Sequence, residues 1–227
     1  GKLEIPVWCY EWMPVFNWIR TDSKVLSRGG ALVSGFRLNE VKDPYPNHES
    51  VDADQLWENL KYFLSAVIPE AENAGVKLAM HPDDPPVPEV KGTPRIMCSI
   101  ENFQKLLDLY PSEMNGIALC QGNFTLMTDD LPAVIRKFGS QKKIFFVHFR
   151  DVQGSATDFI ETFHDDGKTD MVECMRSYQE IGYQGICRPD HVPTMGDDNN
   201  ENYGYSEIGR LFAIGYIKGI KEAVYGS

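Results

Sequence analysis

The sequence lacks several features that would place it in a specialised class of protein. No apolar run approaches the roughly 18 residues of a membrane span, and no basic segment followed by an apolar stretch marks a secretory signal. The five cysteines have no paired spacing, which argues against a disulfide scaffold and predicts a reducing, cytoplasmic location. No internal repeat stands out. These absences favour a globular protein without a membrane partner.

Positive charge is also scarce, with 22 Lys and Arg against 33 Asp and Glu and a net charge of −11. Nucleic-acid binding needs a basic stripe, so the charge argues against a nucleic-acid partner. An anionic substrate would have to be attracted locally, by a metal ion or an arginine, against the field of the whole protein.

Strand-like and helical segments alternate along the chain. Apolar runs predict five strands, near residues 3–10, 76–81, 115–120, 142–150 and 185–190. Amphipathic segments between them predict helices, which is the pattern of βαβ units and a parallel sheet. A (β/α)8 barrel needs eight strands in about 250 residues, so either the other strands lie outside this chain or the sheet is open. We favour the first explanation and predict one α/β TIM-barrel domain whose N-terminal units are missing from the chain.

The domain prediction therefore covers residues 1–227 as a single α/β barrel. Within it, residues 23–50 are weakly periodic and contain Gly, Asn and Pro. We predict a loop or insertion there, near the active-site rim.

Four of the apolar runs end in a potential metal ligand. The C-terminal ends of barrel strands are where active sites are built, so one metal at this rim is predicted. The four side chains are His81, Cys120, His148 and Asp190. Two imidazoles, a thiolate and a carboxylate suit zinc, and a divalent ion with more open positions, such as manganese, is also compatible.

Other polar residues in the same segments are candidates for catalysis and substrate binding. His191 follows Asp190 directly and Tyr203 follows a polar loop, and both side-chain types suit proton transfer. Arg150 and Arg20 are predicted to bind a carboxylate with a bidentate fork. Two further residues, Asp83 and Asn123, are also predicted to bind substrate.

Several motifs together resemble mannonate dehydratase, a family of metal-dependent lyases. They are HPDDPP, GTPRI, CQGN, VHFR, HDDG and RPDH in this order, with CYEWMPVFNWIRTD before them and YGY…GR after them. The resemblance covers nearly the whole chain. It implies a xylose-isomerase-like TIM barrel, an enzyme of hexuronate (glucuronate) catabolism, and conversion of D-mannonate to 2-keto-3-deoxy-D-gluconate.

The resemblance also implies a cofactor and residue roles. The expected metal is Mn²⁺, with Fe²⁺ or Zn²⁺ as alternatives. The matching metal ligands are His81, Cys120, His148 and Asp190. His191 and Tyr203 match positions with acid–base roles. A sugar-acid substrate and a homo-oligomer are expected as partners.

Two other functions are compatible with the same residues. One is a divalent-metal-dependent sugar isomerase or epimerase on the same barrel. The substrate of such an enzyme has no carboxylate for Arg150 and Arg20 to bind, which slightly disfavours this function. The other is a non-catalytic barrel in which a structural zinc ion holds the strand ends together.

Overall fold

The structure, a computed structural model, describes residues 1–42, 49 and 51–226. Its centre is a parallel sheet of five strands in the order β1-β4-β7-β8-β11. These strands are β1 (Val7–Tyr10), β4 (Lys77–Met80), β7 (Asn115–Cys120), β8 (Ile144–His148) and β11 (Ile186–Arg188). All five strands predicted from the apolar runs are confirmed.

Helices follow the strands and cover one face of the parallel sheet. They are α1 (Ala53–Ala74), α2 (Ile100–Leu109), the short α3 (Gln121–Phe124), α4 (Leu131–Ser140), α5 (Met171–Glu180) and α6 (Glu207–Tyr225). Each long helix begins after an Asp or Ser whose side chain accepts a backbone N–H of the first turn, which satisfies an otherwise unpaired donor. The largest apolar core lies between these helices and the sheet.

A second sheet of four antiparallel strands lies apart from the parallel one, in the order β2-β3-β10-β9. We call it the accessory sheet. Its strands are β2 (Asp22–Leu26), β3 (Leu32–Arg37), β9 (Val152–Ser155) and β10 (Asp158–Glu161). A further two-stranded hairpin joins β5 (Glu89–Val90) and β6 (Thr93–Pro94).

The accessory sheet corrects the prediction of a loop at residues 23–50. Most of β2 and all of β3 lie in this range, while residues 43–48 and 50 lie outside the described part of the chain. The strands were missed for two reasons. β2 is short and polar. β3 pairs on its other side with β10, which lies more than a hundred residues further along the chain. Whether the segment is an insertion stays a prediction.

Within the described residues the parallel sheet does not close. β1 pairs only with β4, and β11 only with β8, which leaves both outer edges without a neighbouring strand. Five parallel strands with helices on one face form a little over half of an eight-stranded α/β barrel. The C-terminal ends of all five strands lie along one rim, where the candidate site is found.

Candidate metal centre

Three predicted ligands meet at the C-terminal ends of adjacent parallel strands. His81 follows β4, Cys120 ends β7 and His148 ends β8, and their ligand atoms all lie within 4.8 Å of one another. His81 Nε2 and His148 Nδ1 are 3.2 Å apart. Cys120 and His148 are direct partners in the register of β7 and β8. Neighbouring strands that end on the same rim therefore bring together residues that are far apart in the chain.

Asp190, the fourth predicted ligand, lies beside these three. Its Oδ2 is 3.7 Å from His148 Nδ1 and 3.9 Å from Cys120 Sγ. Arg150 Nε lies 3.0 Å from the same oxygen. Burial alone would raise the pKa of Asp190, but electrostatic attraction to its neighbours, His191, His148 and Arg150 among them, outweighs burial and holds the pKa well below its ordinary value. An ionised carboxylate therefore faces the histidines and the thiol.

The protonation of the two imidazoles suits metal binding. His81 Nδ1 is 2.8 Å from the carbonyl oxygen of Pro82, which can only accept, so Nδ1 carries the proton and Nε2 presents its lone pair. Burial lowers the pKa of His81, and it lowers the pKa of His148 to about 3, so both rings are neutral near pH 7. A hydrogen bond from the non-ligating nitrogen to a carbonyl is the usual support of a ligating histidine. This donor set fits a divalent cation.

A buried network of charged side chains lies directly behind the candidate ligands. Arg150 donates to both carboxylate oxygens of Glu161, at 3.0 and 2.9 Å, and to Asp84 at 3.0 Å. Arg20 donates to both oxygens of Asp84, at 2.6 and 3.0 Å, and to Glu161. All four side chains are at most 3% exposed. Two arginines thus hold two carboxylates in fixed positions.

Arg150 and Arg20 were predicted to bind a substrate carboxylate. The structure instead gives their guanidinium groups protein partners, Asp84 and Glu161, and leaves them 1% and 0% exposed. Their role in substrate binding stays a prediction. The sequence pattern could not reveal this pairing, because Glu161 lies on the accessory sheet and its strand was not predicted.

The predicted substrate-binding residues Asp83 and Asn123 are buried beside this network. The Asp83 carboxylate accepts the Met97 N–H at 2.7 Å and lies 3.9 Å from Arg95, which turns it away from the candidate ligands. Asn123 accepts from Arg150 at 2.5 Å and donates to the Asp83 carbonyl at 3.0 Å. Their contact with substrate stays a prediction, while Asp84 is the acidic residue of this motif that joins the network.

His191 lies between a carboxylate and a phenol. Its Nδ1 is 2.9 Å from Glu161 Oε1, and its Nε2 is 3.2 Å from the hydroxyl of Tyr205. Its Nε2 is also 3.9 Å from Asp190 Oδ2, so this pair borders the candidate ligands. A histidine and a tyrosine in hydrogen-bond contact can pass a proton between them.

The structure places Tyr205, and not the predicted Tyr203, on His191. Tyr203 packs edge-on against Trp18 at 5.5 Å between ring centroids, and Trp18 also packs on His191 at 5.2 Å. The loop after β11 folds back so that the Val192 N–H donates to the Gly204 carbonyl, which brings the next residue, Tyr205, over His191. Gly204 has φ +82°, a conformation that favours glycine at this turn.

Sequence reasoning therefore missed two residues of this site, Tyr205 and Glu161. The motif NYGYS contains both tyrosines, and nothing in their spacing distinguishes them. A usable signal was Ser206, which caps α6 and places Tyr205 at the start of the helix, next to the rim.

Fold and site together define a class: an α/β-barrel protein with a candidate cation site at its strand ends, next to a histidine–tyrosine pair. The particular family follows from comparison with known proteins. The chain matches the D-mannonate dehydratase (UxuA) family over residues 1–44 and 30–226. It belongs to this family.

Individual relatives agree with the family match. A mannonate dehydratase of Thermotoga neapolitana is 34% identical over 261 residues, which cover 99% of this chain and 72% of the relative. The crystal structure of a mannonate dehydratase from Streptococcus suis serotype 2 superposes with a TM-score of 0.91 at 35% identity, covering 99% of this chain and 66% of that one. The chain thus spans about two thirds to three quarters of the length of these relatives.

More distant structures show the fold alone. A D-tagatose 3-epimerase-like protein superposes with a TM-score of 0.54 at 17% identity over 75% of this chain and 56% of that one. The predicted xylose-isomerase-like TIM-barrel fold is confirmed, as is the prediction of a hydro-lyase of the mannonate dehydratase family acting in carbohydrate metabolism. Among the described residues, none of the helices combines the length and hydropathy needed to cross a bilayer.

Proposed function

We propose that the full-length protein dehydrates D-mannonate to 2-keto-3-deoxy-D-gluconate, in hexuronate (glucuronate) catabolism. Membership of the family supports the reaction. The observation that carries the proposal is the convergence of His81, Cys120 and His148 within 4.8 Å, beside a histidine–tyrosine pair that can transfer protons. The cytoplasmic location and the homo-oligomer stay predictions.

We propose that a divalent cation, Mn²⁺ in preference to Fe²⁺ or Zn²⁺, is held by His81, Cys120, His148 and Asp190. When bound, such an ion supplies Lewis-acid stabilisation of the negative charge that develops on the substrate carboxylate and the adjacent oxygen. Asp190 is ionised and both histidines are neutral, as ligands must be. Burial raises the pKa of the Cys120 thiol to about 12, so its deprotonation is coupled to binding of the cation.

The acid–base chemistry is assigned to His191 and Tyr205. The Glu161 carboxylate can only accept a hydrogen bond, so the proton of the His191 ring is on Nδ1. Nε2 carries no proton and can therefore act as a base. We propose that Nε2 takes the proton from C2, while Tyr205 donates its proton to the 3-hydroxyl. The C2–H and C3–O bonds break and water leaves. His191 then returns its proton to Tyr205, and the enol product becomes the 2-keto acid.

The buried arginines receive a positioning role in this proposal. The guanidinium N–H groups of Arg150 and Arg20 are already paired with the carboxylates of Asp84 and Glu161. In this role the two arginines support the residues that face the substrate. Asn123 and Asp83 join them by fixing Arg150 and the loop after β4. A direct contact of Arg150 or Arg20 with the substrate carboxylate would require these ion pairs to open.

The test is an assay of the full-length protein with Mn²⁺ and D-mannonate, in which 2-keto acid is measured. A panel of pentoses and hexoses is assayed in parallel. Formation of 2-keto acid from D-mannonate is the expected result. Turnover confined to the sugar panel would identify an isomerase or epimerase instead, and no turnover of either would overturn the proposal.

Removal of the metal is expected to abolish activity without unfolding the protein. The ligands lie at the rim, while the main core is formed between sheet and helices, so the fold does not depend on the cation. We expect chelation to eliminate turnover, Mn²⁺ to restore it, and circular dichroism to change little. A structural zinc site predicts the opposite: stoichiometric zinc, with loss of the folded state on chelation.

A further inference from the structure

The residue that orients the catalytic histidine comes from outside the parallel sheet. We propose that Glu161, at the end of β10 in the accessory sheet, is a positioning residue that holds His191 in the Nδ1–H tautomer with Nε2 directed at Tyr205. The inference rests on the proposed function and extends it. It makes the accessory sheet part of the active-site machinery.

The contact between the two side chains determines which nitrogen carries the proton. Glu161 Oε1 is 2.9 Å from His191 Nδ1, and both side chains are at most 4% exposed. Burial alone would raise the pKa of Glu161, but the charges of Arg150 and Arg20 outweigh it and lower the pKa to about 2. A carboxylate has no proton to donate, so the hydrogen in this contact belongs to Nδ1.

A second donor near Nδ1 does not change this assignment. Arg20 Nη2 lies 3.2 Å from His191 Nδ1. Its two hydrogens are directed at Asp84 Oδ2, at 3.0 Å, and at Glu161 Oε1. None is left for Nδ1. Arg20 and His191 are therefore close because both donate to the same carboxylate oxygen of Glu161.

Glu161 is itself held firmly. Arg150 donates to both of its oxygens, at 3.0 and 2.9 Å, and the backbone of residue 161 pairs with Val152 in the accessory sheet. The carboxylate therefore cannot rotate away without breaking buried ion pairs. A buried carboxylate on one ring nitrogen fixes the orientation and tautomer of a histidine and leaves the other nitrogen for proton transfer.

The substitution Glu161→Gln tests this role, because it keeps the size of the side chain and changes its hydrogen bonding. The amide can donate to Nδ1, which favours the tautomer with the proton on Nε2 and removes the base. In metal-loaded protein we expect kcat for D-mannonate to fall at least about 10²-fold with little change in KM, since a wrong-tautomer substitution costs up to about 10⁴-fold in another enzyme. Metal content is measured in every sample.

Two further variants separate positioning from general support of the fold. Asp158→Asn changes a carboxylate on the same strand that is 67% exposed, and we expect wild-type turnover. In a His191→Asn background, Glu161→Gln is expected to cause no further loss of kcat, because the two residues act as a unit. The inference would be overturned if the fold-loss of kcat in the double variant equalled the product of the losses in the two single variants. It would also be overturned if metal-loaded Glu161→Gln enzyme kept kcat within twofold of wild type.

A spectroscopic measurement tests the inference without using activity or the variant. In the ¹⁵N spectrum of the histidine side chains of the wild-type protein, His191 is expected to show a protonated Nδ1 and an unprotonated Nε2. A proton found on Nε2 alone would overturn the positioning role. If the wild-type protein did not dehydrate D-mannonate, the proposed function would fail, and this spectrum would still decide the role of Glu161.

Discussion

Replacing Tyr205 with phenylalanine is expected to lower kcat for D-mannonate by about 10²–10⁴-fold, the usual contribution of a general acid or base. The substitution removes the hydroxyl that lies 3.2 Å from His191 Nε2 and keeps the ring. Metal content and the unfolding transition should be unchanged. Steady-state kinetics of the metal-loaded variant, with metal analysis of the same sample, check this result.

Tyr203→Phe is the matched comparison, since the two tyrosines are separated by a single glycine. Tyr203 contacts Trp18 through its ring, and the substitution leaves a ring in place, so kcat should stay within a few-fold of wild type. The opposite pattern, in which Tyr203→Phe is inactive and Tyr205→Phe is active, would restore the role predicted from the sequence. It would also remove the Tyr205–His191 contact from the mechanism.

Replacing Arg150 with methionine is expected to destabilise the protein by about 3–5 kcal/mol, the usual cost of breaking a buried ion pair. Arg150 is 1% exposed and pairs with Asp84, Glu161 and Asp190, whose buried charges would lose a shared partner. For a protein of this size the melting temperature should fall by roughly 6–20 °C. Urea and thermal unfolding of the full-length protein measure both quantities.

Arg136→Met supplies the control for this prediction. Arg136 also pairs with two carboxylates, Glu173 and Glu180, but it is 39% exposed, so solvent screens the pairs and replaces them when they are lost. A much smaller change in stability is expected. If both variants lost the same free energy of unfolding, burial of the Arg150 ion pairs would add nothing to their contribution to stability.

Much of the fold could be predicted because its signals are local. An apolar run such as residues 142–150 predicts a strand whatever its neighbours are, and Asp52 or Ser99 caps the helix that follows it. The accessory sheet could not be predicted in this way. Strand β3 pairs with β10 across more than a hundred residues, and the polar β2 shows no alternation of apolar side chains.

The residues of the candidate site also fall into two groups, those that the sequence could predict and those that it could not. His81, Cys120 and His148 could be grouped from the sequence, since each lies at the end of a predicted parallel strand and such ends share one rim. The roles of Arg20 and Arg150 could not be predicted from the sequence. A sequence does not show whether a guanidinium is free to bind a substrate or is already paired with buried carboxylates. Their partners were decided by β10, which carries Glu161 to the rim.

The amino-acid sequence by itself determined the parallel α/β architecture, the residues that stand at the strand ends and the family. These depend on hydrophobic pattern and on motifs that are contiguous in the chain. Only the tertiary structure decided that Tyr205 and not Tyr203 contacts His191, and that Glu161 holds the other side of its ring. A hydrogen bond requires two atoms to approach within about 3 Å, and the turn at Gly204 and the pairing of β10 set that approach, which spacing along the chain does not encode.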